Sequence, residues 1–84
     1  MAKEWGVARF YGMGSIEYLL ESGQWLHDGK LFDGAPIRLF EKMSEADDFA
    51  AQFDQDRQPH GVQFMIDAKG KVMTSWIKAK PAKR

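Results

Sequence analysis

The sequence predicts an α+β fold, an antiparallel sheet of four to five strands with one α-helix packed on one face. Three observations carry that reading. Val62, Phe64 and Ile66 alternate with Gln63, Met65 and Asp67, the period-two pattern of a half-buried strand. Ala46, Phe49, Ala50 and Phe53 fall at i, i+3, i+4 and i+7, which is one apolar stripe on a helix. Turn signals rich in glycine, aspartate and proline divide the remainder into short pieces, a spacing that suits strands.

The expected order is β-β-(β)-α-β-β. Trp5 to Tyr11 is rich in aromatic and β-branched residues and ends at a glycine turn, so it is read as a strand. Ile16 to Glu21 follows Gly12-Met13-Gly14-Ser15 and is read as a second strand hairpinned to the first. Its length between turn signals suits a strand, and a short helix capped by Ser15 is the alternative. Asp28-Gly29 suits a two-residue hairpin turn, which would pair Leu26 with Leu31 and Trp25 with Phe32. Pro36 to Phe40 is a short strand with its proline at the start, where no ladder donor is needed.

The helix is expected over about residues 45–56, with Ser44 as N-cap and Pro59 beyond its end. The last hairpin turns at Asp67-Ala68-Lys69-Gly70-Lys71 and pairs Ile66 with Val72, Phe64 with Thr74 and Val62 with Trp76. Phe49 and Phe53 are then expected on Val62, Phe64, Ile66 and Trp76. Residues 1–78 form one domain in this reading, and 79–84 a basic, disordered tail.

A helix is about 10 Å across and strands lie about 4.8 Å apart, so one helix covers two or three strands. The sequence offers no further regular element for the second sheet face. That face is expected to stay open, with Met65, Met73 and Ile77 on it as an adaptable partner-binding group. The function expected is a non-catalytic protein-interaction module that binds itself or another protein, of the kind found among small accessory or inhibitor proteins of bacteria and mobile elements.

Composition bounds the alternatives. The chain has 84 residues, no cysteine and zero net charge. Disulfides, thiolate metal sites and cysteine nucleophiles are excluded, and a reducing, cytoplasmic setting is expected. No apolar run reaches the roughly 20 residues of a membrane helix, and the opening residues lack the apolar core of a signal peptide. The charge is segregated: residues 1–58 hold six basic and eleven acidic side chains, residues 59–84 six and one. Lys69, Lys71, Lys78 and Lys80, interleaved with aromatics, make a nucleic-acid-binding surface the alternative function.

Other constellations are weaker. His27, Asp28 and His60 have the chemistry of a metal or acid–base site but no metal-motif spacing. Gly12-x-Gly14-Ser15 lacks the third glycine and the lysine of phosphate loops. Asp47, Asp48, Asp54 and Asp56 read as the solvated face of the helix. No Gly-x-Ser-x-Gly elbow is present. Neither catalysis, nor a cofactor, nor a membrane partner is expected.

Overall fold

Val7 and Ala8 are adjacent in sequence and both buried, so their strand has a covered surface on each side. In the computed structural model, which describes residues 3–11 and 14–73, that strand is β1 (Trp5–Phe10). It is followed by β2 (Ile16–Leu19), β3 (Trp25–His27), α1 (Met43–Ala50) and β4 (His60–Gln63). The sheet order is β3-β2-β1-β4, and every neighbouring pair is antiparallel. The fold is therefore α+β, a four-stranded antiparallel sheet with one helix against it, and residues 16–19 are strand.

β1 alternates cleanly. Val7 points to one face together with Leu19 of β2, and the apolar stripe of α1 lies on them. Ala46 and Ala50 are buried there, with Trp5, Trp25, Phe40, Phe49 and Phe53 packed around. The rings interlock, with centroids 5.3 Å apart for Trp25 and Phe53 and 5.5 Å for Phe49 and Phe53. Ala46, Phe49 and Ala50 of the expected stripe lie on α1 and Phe53 just beyond its end, but the expected seat is not the observed one. Phe49 and Phe53 sit on Val7, Leu19 and Trp25, whereas Phe64 and Val62 belong to the opposite face.

The helix is shorter than expected. Lys42, not Ser44, is the N-cap, and Glu45 Oε1 accepts the backbone N–H groups of Glu41 and Lys42 at 3.2 Å each. At the other end the Gln55 carboxamide donates to the carbonyl oxygens of Ala50, Ala51 and Phe53, closing the helix before a separate 3₁₀ turn at Gln55–Arg57. Gly61 of β4 faces the helix: a Cβ there would lie 2.8 Å from Asp47 Oδ1 and 3.2 Å from the Ala46 side chain.

The second face is not open. Tyr18, Ala8, Ala35, Ile37, Phe64 and Val72 form a buried cluster there, flanked by Leu20, Leu26, Leu31, Leu39, Val62 and Ile66. The cover is irregular chain, not a second helix. Residues 31–40 leave the sheet because the expected Asp28-Gly29 hairpin does not form. Asp28 Oδ1 accepts the Tyr18 hydroxyl at 2.8 Å, His27 Nδ1 accepts the Gly29 N–H at 3.0 Å, and Asp28–Lys30 is a 3₁₀ turn. Leu31 then turns inward and Phe32 is left exposed.

The expected strand at Pro36–Phe40 is likewise reduced to isolated bridges, Leu20 with Ile37 and Trp5 with Phe40. Its backbone stitches the end of β2 to the start of β1: Arg38 N–H donates to Leu19 O at 3.0 Å, and Phe40 N–H to Trp5 O at 2.6 Å.

Residues 64–73 supply the rest of the cover. Ile66 bridges Val72, as the turn at Asp67–Gly70 predicts, and Met73 N–H donates to Met65 O at 2.8 Å. Gly34 N–H donates to Val72 O at 2.9 Å and ties the two covering pieces together. The expected pairs of Phe64 with Thr74 and Val62 with Trp76, and the tail, lie outside the described residues. Among the described residues no helix is long and apolar enough to cross a membrane.

Gly6 is where the cover meets the sheet. A Cβ at this position would lie 2.6 Å from Phe64 Cε2 and 3.3 Å from both Arg38 O and Ile37 Cγ2. Phe64 is among the largest fully buried side chains. Gly6→Ala is expected to lower unfolding stability by about 1–3 kcal/mol, the usual cost of overpacking. Urea denaturation checks this, with Gly14→Ala as the control, since a Cβ at Gly14 meets nothing within 4 Å although its φ of +83° carries some strain.

Candidate functional site

Met65 comes directly after a residue that the core claims. Phe64 N–H donates to Glu4 O at 2.8 Å, and its ring packs edge-on against Tyr18 with centroids 5.2 Å apart. Strand alternation then sends Met65 outward, where it is 45% exposed. Its backbone is held by Met73, which is half-buried. Beside it runs a groove of about 370 Å³ lined by Glu4, Gln63, Phe64, Met65 and Ile66. Met65 and Met73 are thus brought together as the sequence suggests, at the outer side of β4 and not on an open face. Ile77 lies outside the described residues.

Lys69 and Lys71 are exposed on the turn of the last hairpin. The turn folds around the Asp67 carboxylate, which accepts the N–H groups of both lysines at 2.8 Å. The Lys71 bond is the main cause that holds Asp67 below its ordinary carboxylate range. An anion therefore sits between the two cations, and the interleaved Phe64 is buried where no base could stack on it. Lys78, Lys80 and Trp76 lie outside the described residues.

The histidines do not converge. His27 is paired with Glu17 and shares its face of the sheet, while His60 is paired with Ala8 and shares the opposite face. His27 Nδ1 is occupied by Gly29 N–H, and His60 Nδ1 lies 2.8 Å from Gln58 O. No group of metal-ligating side chains forms among the described residues. Asp47 and Asp54 serve the backbone, accepting from Gly61 N–H at 2.7 Å and Asp56 N–H at 3.0 Å. Ser15 accepts the Tyr11 N–H through its carbonyl at 2.7 Å and leads into β2, so no helix terminus backs the glycine turn.

Two features escaped sequence reasoning. Arg9 pairs with Glu17 at 2.8 Å and lies 4.1 Å from the centroid of Trp25, beside the helix. The cue was a charged residue at the helix-facing parity of an apolar strand. Arg38 lies over Phe40 and Phe49 at 5.3 and 4.8 Å, in a second groove of about 310 Å³ that Lys3, Leu39, Glu41 and Glu45 also line. Nothing local in the sequence announces it.

No family model matches this chain, and neither a curated protein nor a solved structure matches it.

Among the described residues, Tyr18 is the buried group whose titration reports on the fold. Burial chiefly, then the bond to Asp28 and the charge of that carboxylate, push its hydroxyl far above the ordinary value of 10.0. A raised folded value means that the native state keeps a proton which the unfolded chain loses. The contribution is complete below about pH 10 and disappears as the pH rises beyond it. Wild-type stability is therefore expected to fall steeply above about pH 10, and Tyr18→Phe to flatten that limb. Chemical denaturation at pH 8 and pH 11 checks both.

Proposed function

We propose that the protein is a non-catalytic interaction module that associates with a second copy of itself through the Met65–Met73 edge. The observation that carries this reading is the state of Met65. It is a flexible apolar side chain, half in water, on a backbone fixed by Met73 and at the mouth of a groove floored by Phe64. Such a side chain gains burial on association and gives up little backbone freedom, which is how a few residues come to dominate an interface.

Charge favours a second copy as the occupant. The balance is −5 over residues 1–58 and +5 over residues 59–84, for a net charge of zero. Two copies therefore carry no net repulsion, and each offers an acidic region to the basic region of the other. The exposed Asp48 of α1 and the exposed Lys69 and Lys71 of the hairpin are the described ends of that polarity.

Sedimentation velocity on a dilution series tests the reading. Dimer is expected to accumulate below about 1 mM protein, the weak limit of a specific contact near 4 kcal/mol. Met65→Asp is expected to weaken the dimer by roughly ten- to a hundredfold, or about 1–3 kcal/mol, with only a small change in the thermal melt because nearly half of the residue is already exposed at 45%. A wild type that stays monomeric throughout, or a Met65→Asp dimer as tight as wild type, overturns the proposal.

A further inference from the structure

We infer that the groove between Lys3 and the start of α1 binds a single carboxylate of a peptide chain, with Arg38 as its anchor. Arg38 is an exposed cation that is nonetheless held in place. Its backbone N–H is bonded to Leu19 O at 3.0 Å, and its guanidinium lies over the rings of Phe40 and Phe49 at 5.3 and 4.8 Å. The ion pair among the described residues belongs to Arg9 and Glu17, and Arg38 has no carboxylate partner there. A guanidinium resting on aromatic rings keeps its N–H fork in plane and free to bind a carboxylate through two parallel bonds. Little side-chain freedom is left to lose when it does so.

The rest of the lining selects the ligand class. Lys3 adds a second cation to the groove of about 310 Å³. Glu45 is engaged through Oε1 by the N–H groups of Glu41 and Lys42 and serves as the helix cap. Its charge and that of Glu41 remain, however, so the pocket as a whole is balanced. A doubly charged phosphate is disfavoured because its desolvation cost grows with the square of its charge while its attraction to Arg38 grows only in proportion. A monoanion held on the Arg38 fork keeps the close-range attraction at the smaller desolvation cost.

The carboxylate has two sources in a peptide, the chain terminus and an acidic side chain, and one titration distinguishes them. Isotope-labelled full-length protein is followed by NMR with three probes: acetyl-Ala-Ala-Ala with a free terminus, acetyl-Ala-Glu-Ala-amide, and the neutral acetyl-Ala-Gln-Ala-amide. The Arg38 side-chain N–H and the Phe40 amide are expected to shift with at least one acidic probe and not with the neutral one. Whichever acidic probe acts names the source. Arg38→Met, which keeps an apolar stem over the rings, is expected to weaken binding at least about tenfold. Arg38→Lys keeps the charge and loses the fork, and is expected to bind several-fold more weakly while remaining folded. Met65→Asp should bind as wild type does, which separates this groove from self-association. The inference fails if neither acidic probe moves the Arg38 signal, if the neutral probe moves it equally, or if both Arg38 variants bind unchanged.

Discussion

The fold depends on one close approach, that of the Phe64 ring to Gly6. On its second face β1 presents only Gly6 and Ala8 before Phe10, so large rings can lie flat on its backbone. Phe64 and Tyr18 do so edge to face, and Ile37 closes on the same glycine from the other side. The arrangement alternates small against large, as dense packing demands. It also fixes where the chain goes next. Once Phe64 is drawn inward, the hairpin of residues 64–73 must follow it across the sheet, and Val72 then meets Gly34 and anchors the loop of residues 31–40.

This explains why some of the structure was legible in the sequence and some was not. β1 and the stripe of α1 follow from local composition and periodicity, β2 from its length between turn signals and the turn at Asp67–Gly70 from its residue types, and each of these cues is local. The covering of the second face has no such cue, because residues 31–40 are nearly devoid of regular structure and leave no periodic trace. The Asp28-Gly29 signal misled for a related reason. A buried tyrosine hydroxyl needs a hydrogen-bond partner, and Asp28 meets that need for Tyr18 from ten positions away. The outward turn of Met65 was legible from alternation alone. The Arg38 groove was not, since it arises only when residues 38–40 are laid beside Trp5 and under Phe49.

The acidic residues illustrate how little of the surface charge is idle. Asp28 holds a hydroxyl, Asp47 holds β4, Asp54 caps a 3₁₀ turn, Asp67 organises the hairpin, and Glu45 caps α1. Each carboxylate satisfies a donor that local geometry would otherwise leave unpaired, which is costly wherever water is excluded. Glu45 and Asp47 of the helix therefore act separately on the backbone and do not converge on a common point. A short chain with a thin core has reason to use its charges in this way, because it has few large residues with which to fasten loops.

With both faces covered, the functional question moves to the edges of the sheet. β4 bonds to β1 through its even-numbered residues, as the bond from Phe64 to Glu4 indicates, so Gly61, Gln63 and Met65 turn their backbone groups outward. The Gly61 N–H is taken by Asp47 and the Met65 carbonyl by Met73, which leaves Gln63 alone between two occupied positions. A ladder needs a long row of free groups, and this edge leaves only the short run from the Gly61 carbonyl to the Met65 N–H. Strand addition by a partner is thereby confined to about one residue pair at Gln63, while the Met65 side chain beside it stays accessible. So short a run gives main-chain pairing little to hold, and contact at this edge rests chiefly on Met65 and the groove beside it, on shape and burial.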